Sequence, residues 1–174
     1  MKNLVKFTAL AVAILGTASV AGAQASLGSS LTATAAVGAS ISITPANISF
    51  GTAYRNQGPK TVLENSAAAA SFLILGTGAT TVGTSITSPS TLNSTATPAN
   101  TLPVSWTYTS LSSNAACSTA AAGSATATTT LLLGGAAGGS GNGRICIGGT
   151  ITPALTQAIA TDYTGTINIT VSFP

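Results

Sequence analysis

The chain contains no histidine, only two acidic residues and only two cysteines in 174 residues. General acid and base catalysis draws on paired carboxylates or imidazole, and zinc or iron sites draw on clustered His, Cys, Asp and Glu, so these shortages leave most catalytic and metal-binding constellations without parts. Charge is scarce altogether. Lys2, Lys6, Arg55, Lys60, Glu64, Arg144 and Asp162 make up 4 % of the chain, against roughly 25 % in ordinary soluble domains. Ser and Thr are plentiful, but a hydroxyl nucleophile needs a base. The grouping of Arg55, Lys60 and Glu64 across a turn and a strand reads as a solvated ion pair. The reading is non-enzymatic, with no catalytic, cofactor-binding or metal-binding residues expected.

What is present at the start is an export signal. Lys2 and Lys6 form a basic region, Phe7 to Leu15 is apolar, and Ala23-Gln24-Ala25 is a small-x-small cleavage site, so residues 1–25 are expected to be a signal peptide. Beyond residue 25 three cations (Arg55, Lys60, Arg144) stand against two acids (Glu64, Asp162), leaving a net charge of +1. Three scattered cations cannot neutralise a row of phosphates, which excludes nucleic acid as a partner. Near-zero net charge favours self-association. In an exported chain Cys117 and Cys146 read as a disulfide closing a 29-residue span.

The remaining pattern is that of strands. Leu31, Ala33, Ala35, Val37, Ala39, Ile41 and Ile43 alternate with mostly polar neighbours. At about 3.3 Å per residue the whole run is too long for one strand of a small domain. A break at Gly38 divides it into an N-terminal arm, residues 26–38, and a first domain strand over 39–43 that Pro45 ends. Tyr163, Ile167, Ile169, Val171 and Phe173 form a second alternation near the end. Further strands are expected at 48–51, 60–64, 70–75, 104–109, 128–133 and 144–152, separated by Gly- and Pro-bearing turns. Trp106 and Tyr108 share a strand face with Val104 and read as core. Residues 112–143, rich in Ser, Ala, Gly and Thr, read as a long hairpin or surface loop. Such punctuated short strands indicate an all-β, antiparallel sandwich over residues 39–174. Only 31 residues past position 25 are Ile, Leu, Val or Phe, so the core is thin and gains from apolar side chains supplied from outside.

Ile48-Ser49-Phe50-Gly51-Thr52, Gly148-Gly149-Thr150-Ile151-Thr152 and the closing run from Asp162-Tyr163-Thr164-Gly165-Thr166 to Val171 resemble the exported immunoglobulin-like proteins of the spore-coat-U and archaic chaperone-usher pilin type. The resemblance implies an immunoglobulin-like sandwich lacking one edge strand and completed by the arm of a neighbouring subunit. Leu31, Ala33, Ala35 and Val37 would then fill the pockets of the next copy, and the product would be a homopolymer, an extracellular pilus or fimbria serving adhesion or biofilm. It further implies a periplasmic chaperone and an outer-membrane usher as partners, with Ile167, Ile169, Val171 and Phe173 of the last strand in assembly. Two features depart from the pilin pattern: both cysteines lie in the second half, and Thr161 stands where pilins carry a Gly. The alternatives are a monomeric secreted surface sandwich and a small outer-membrane barrel. Only seven aromatics past residue 25 are few for a barrel's two girdles, and no stable membrane insertion is expected.

Overall fold

The computed structural model describes residues 40–123 and 125–173; the signal peptide and the arm lie outside these. Strands dominate because β-branched residues alternate with small polar ones along most of the chain. They are β1 (Ser42–Ala46), β2 (Lys60–Val62), β3 (Ala70–Thr77), β4 (Thr81–Thr87), β5 (Thr91–Ser94), β6 (Thr101–Leu111), β7 (Thr128–Leu132), β8 (Ser140–Ile151), β9 (Tyr163–Thr164) and β10 (Asn168–Ser172). All pairings are antiparallel. The large sheet runs β1-β3-β8-β6-β5-β9, with β2 also on β8, and the small sheet runs β10-β4-β7.

The two sheets face each other. Ile74, Ile145 and Ile147 of the large sheet pack with Val82, Ile86 and Leu131 of the small one and with Leu133 just past β7, and of these only Ile86 and Leu131 retain any exposure, at 6 % and 2 %. Each such side chain contributes about 1.5–3 kcal/mol when fully buried. This is the antiparallel sandwich expected from the sequence, and its two facing sheets displace the barrel alternative. A second cluster, Leu92, Leu102, Val104 and Ile151, lies further along the large sheet. Trp106 packs against both clusters and Tyr108 against the first, in keeping with their reading as core.

Several expectations are corrected. The first strand is Ser42–Ala46 and does not stop before Pro45; at the edge of the sheet among the described residues, with β3 as its neighbour, it can carry a residue without an N–H. Residues 48–51 form no strand. The terminal alternation is not one strand. β9 closes the large sheet against β5, residues 165–167 cross over, and β10 joins the small sheet against β4. Gly165 permits the crossing, since a Cβ there would lie 2.8 Å from Leu92 Cδ2 and 3.0 Å from Pro89 Cγ. The Gly-rich run 138–143 does not lie wholly in a turn: Gly141 and Gly143 belong to β8. Close packing demands them there, because a Cβ on Gly141 would stand 2.5 Å from the Gly78 backbone and one on Gly143 2.7 Å from Leu131 Cδ2.

The outer face of the large sheet is also covered. Ser71, Cys146 and Thr109 lie side by side in register and are buried. The 112–123 segment closes over them through the Cys117–Cys146 disulfide (Cα–Cα 5.7 Å), through Thr109 Oγ1 donating to the Ala121 carbonyl and through Arg144 Nη2 donating to the Asn114 carbonyl at 3.0 Å. Most of the segment is solvent-exposed, as expected of a surface loop, with Cys117 and Ala120 buried against the sheet. Glu64, expected in a solvated ion pair, is 5 % exposed. Its Oε2 accepts from Thr107 Oγ1 at 2.7 Å and its Oε1 from the Gly123 N–H at 2.8 Å, and these donors, with the Thr107 hydroxyl foremost, hold its pKa below the usual value despite burial. Gly148 makes room for the approach: a Cβ there would lie 2.3 Å from the Glu64 nitrogen.

Candidate functional site, an open apolar groove

The small sheet covers only part of the large sheet's inner face. Where its cover ends, a groove of about 1160 Å³ opens between residues 45–55 on one side and a wall formed by Gln157–Thr161 and Tyr163–Ile167 on the other. Its floor is apolar, with Ala70, Phe72 and Ile147 continuing into the first core and Leu92, Leu102 and Ile151 into the second. Phe50 and Trp106 meet over this floor with ring centroids 6.1 Å apart and planes at 53°. Gly149 lies beneath both rings, where a Cβ would be 3.0 Å from each. Trp106 Nε1 donates to the Pro89 carbonyl at 2.6 Å, which fixes the indole.

The walls are mostly irregular backbone held by side-chain hydrogen bonds. Lys60 Nζ donates to the Thr52 carbonyl at 2.6 Å, and Gln57 Oε1 accepts the Tyr54 N–H at 3.2 Å. Opposite, Gln157 Nε2 donates to the Thr101 carbonyl and to Tyr163 Oη, and Tyr163 Oη donates to the Ala158 carbonyl, all at 2.8 Å. Asp162 accepts from Ser94 Oγ, Thr95 Oγ1 and the Ala96 N–H at 2.8, 2.6 and 2.7 Å. Those donors, Thr95 first, hold its pKa down to about 2. The walls touch at one end, where the Asn56 N–H donates to the Pro153 carbonyl at 3.3 Å. Among the described residues no strand bridges the space between β1 and β10, which sit in different sheets. At the rim Tyr54 and Ile159 stand 65 % and 79 % exposed.

Of the residues singled out from the sequence, Ile167 lines the groove, and Ile167, Ile169 and Val171 pack against the first core. Phe173 follows β10 and is 37 % exposed. Cys117 and Cys146 are bonded on the opposite face of the large sheet. Leu31, Ala33, Ala35 and Val37 lie outside the described residues. The motifs at 48–52 and 162–166 were singled out in the sequence but not as groove walls, and sequence reasoning missed the 157–161 segment with its anchor Gln157. At Asp162 the available signal was an isolated carboxylate in a chain nearly free of them, whose burden of hydrogen bonding falls on the Ser94-Thr95 turn.

A family model described as "Domain of unknown function (DUF4402)" matches residues 41–173, and the chain belongs to that family. No curated protein and no solved structure matches it.

Proposed function

We propose that the protein is a structural, non-enzymatic subunit of an extracellular filament, in which the groove of one copy receives the N-terminal arm of the next. The observation that carries this reading is the groove itself: an apolar trough at the end of a sandwich, flanked by two backbone segments joined at one end by the Asn56–Pro153 hydrogen bond and, among the described residues, bridged by no strand. Leaving Phe50, Phe72, Leu92 and Trp106 facing such a space is costly in water, and an inserted extended segment would cover them while offering its own backbone to the edge of β10 that no described strand occupies. The arm has the form such an insert needs, with Leu31, Ala33, Ala35 and Val37 alternating with polar residues and no charge between 26 and 39. β1 supports donation between copies. It enters at Ser42, opposite Leu75, and ends at Ala46, opposite Ser71, so the chain arrives at the end of β3 remote from the groove. Head-to-tail contacts of this kind propagate into fibres. A periplasmic chaperone and an outer-membrane usher would attend assembly in this reading, and residues 1–25 would direct export.

The test is to express the full chain, its Val37→Asp variant and a deletion of residues 26–37, and to examine each by negative-stain microscopy and by electrophoresis with and without boiling. Thin fibres and a heat-labile ladder are expected from the unaltered chain only. Fibres from the deletion variant, or a monomer from the unaltered chain at every step, would replace this reading with a monomeric surface domain.

A further inference from the structure

We infer that successive copies in the filament also meet domain to domain, the exposed apolar residues at the groove end of one copy packing on those around the base of the arm of the next. The inference rests on the arm-donation reading and adds a contact that the arm itself does not make. The tether sets the distance. Ile41 packs against the core of its own copy, and only four residue steps separate it from Val37, the last of the pocket-filling residues. Four residues reach at most about 14 Å whatever their conformation. A Val37 seated in the groove therefore draws the start of the donor's β1 to the rim of the acceptor, and the side chains of the two copies close what remains.

The two ends brought together in this way are where the exposed apolar side chains lie. At the groove end Tyr54 and Ile159 stand on opposing walls. Leu155, equally exposed, sits beside them in a turn closed by the Gln157 N–H donating to the Ala154 carbonyl at 3.1 Å, next to the Pro153 that joins the walls. At the other end Ser42 opens β1 opposite Leu75, with Ile43 next along the strand. Leu132 closes β7 opposite Thr81, and Phe173 follows Ser172, which lies opposite Gly83. β3 ends at Thr77 and β4 begins at Thr81, so these residues share the end from which the arm departs. Among the described residues eight large apolar side chains are exposed, and only Leu63 stands clear of the two ends. Scattered singly they would need no partner; their segregation fits a particle covered at its ends and wet along its flanks. Charge does not oppose the contact, because β1, β3, β4 and β7 carry none and Arg55 and Lys60 near the rim meet no cation. A few side chains on each copy cannot hold two domains alone, since a stable interface buries about 1,200–2,000 Å². The inserted arm makes the contact intramolecular, at an effective concentration of roughly millimolar, and the contact in turn fixes the angle between copies.

The test places cysteines on both sides of the joint in the full chain: Ile159→Cys with Leu75→Cys and, leaving the groove lining intact, Leu155→Cys with Ile43→Cys. Cys117 and Cys146 are bonded to each other and buried, so the introduced thiols are the reactive ones. Assembled fibres are treated with a short bismaleimide and boiled. Each double variant is expected to keep a ladder that boiling no longer dissolves, with roughly tenfold more dimer and higher species than its two single variants, because head-to-tail contact brings unlike residues together. If a double variant does not assemble, an equimolar mixture of its two single variants replaces it, and the cross-linked dimer is read. Fibres that form and still boil to monomer after treatment overturn the joint and leave arm donation standing. Ladders from the single variants overturn it in favour of a like-to-like contact. Absence of fibres from the unaltered chain removes arm donation and the joint together.

Discussion

Asp162 and Thr95 meet through a 2.6 Å hydrogen bond that ties the C-terminal wall of the groove to the turn between β5 and β6. The carboxylate also accepts from Ser94 and from the Ala96 N–H, so its charged form is the one the fold favours. Its pKa falls from 3.8 to about 2. A lowered folded-state pKa stabilises the fold above the unfolded value, and the contribution is lost as pH falls towards the folded one. The thermal midpoint should therefore drop as pH is lowered from about 4 to about 2, and Asp162→Asn should lower the midpoint at neutral pH and remove this part of the acid slope. Differential scanning calorimetry of both proteins across that range checks it; parallel curves would show that the wall does not depend on the charge.

Trp106, the chain's single tryptophan, reports on the groove because its ring lines it beside Phe50. Adding a synthetic peptide of residues 27–39 to the chain lacking residues 26–37 should shift its fluorescence to the blue as water leaves the indole. The same peptide with Val37→Asp should shift it far less, since a buried unpaired carboxylate is strongly disfavoured. An unchanged spectrum at saturating peptide would remove the arm as the insert and leave the groove for another ligand.

The Cys117–Cys146 bridge spans 29 residues and lies on the face of the large sheet opposite the groove. Chain entropy gives such a loop about 3.5 kcal/mol. Replacing both cysteines by Ser should cost stability of that order in urea unfolding, while the peptide response of Trp106 persists in the protein that remains folded. Loss of the response in a folded variant would mean that the 112–123 layer shapes the groove through the sheet.

Most strands of the middle were readable in the sequence, since 60–64, 70–75, 104–109, 128–133 and 144–152 coincide with β2, β3, β6, β7 and β8, whereas β4, β5 and the details of both ends were not. Residues 163–173 were legible as extended because β-branched residues fall on both faces, but not as two strands in two sheets, since nothing local marks the crossing except Gly165. β4 was missed because its buried residues Val82, Thr84 and Ile86 include a threonine, which reads as polar until its Oγ1 is seen donating to the Thr129 carbonyl at 3.0 Å. β5 offers only Leu92, with Ser94 buried at 1 % exposure by its bond to Asp162. An incomplete edge was an expectation from the family resemblance and from a thin core, and neither located the groove. Its walls are mostly irregular backbone fixed by side-chain bonds such as Gln157 to Thr101, 56 residues apart, and Lys60 to Thr52, which no periodicity records.

Glu64 offers a last test, of the layer over the outer face. Its two oxygens satisfy the Thr107 hydroxyl and the Gly123 N–H, and Gly148 gives its backbone space that no other residue leaves. Glu64→Ala strands both donors and should cost about 1–3 kcal/mol. Glu64→Gln keeps one acceptor and should cost less. Because the Glu64 pKa is lowered, the wild-type advantage over Gln is present above the usual carboxylate range and fades as pH falls below about 4.5. Urea unfolding at neutral and acid pH separates the two: equal losses for Ala and Gln at every pH would mean that packing rather than hydrogen bonding holds the 120–123 segment to the sheet.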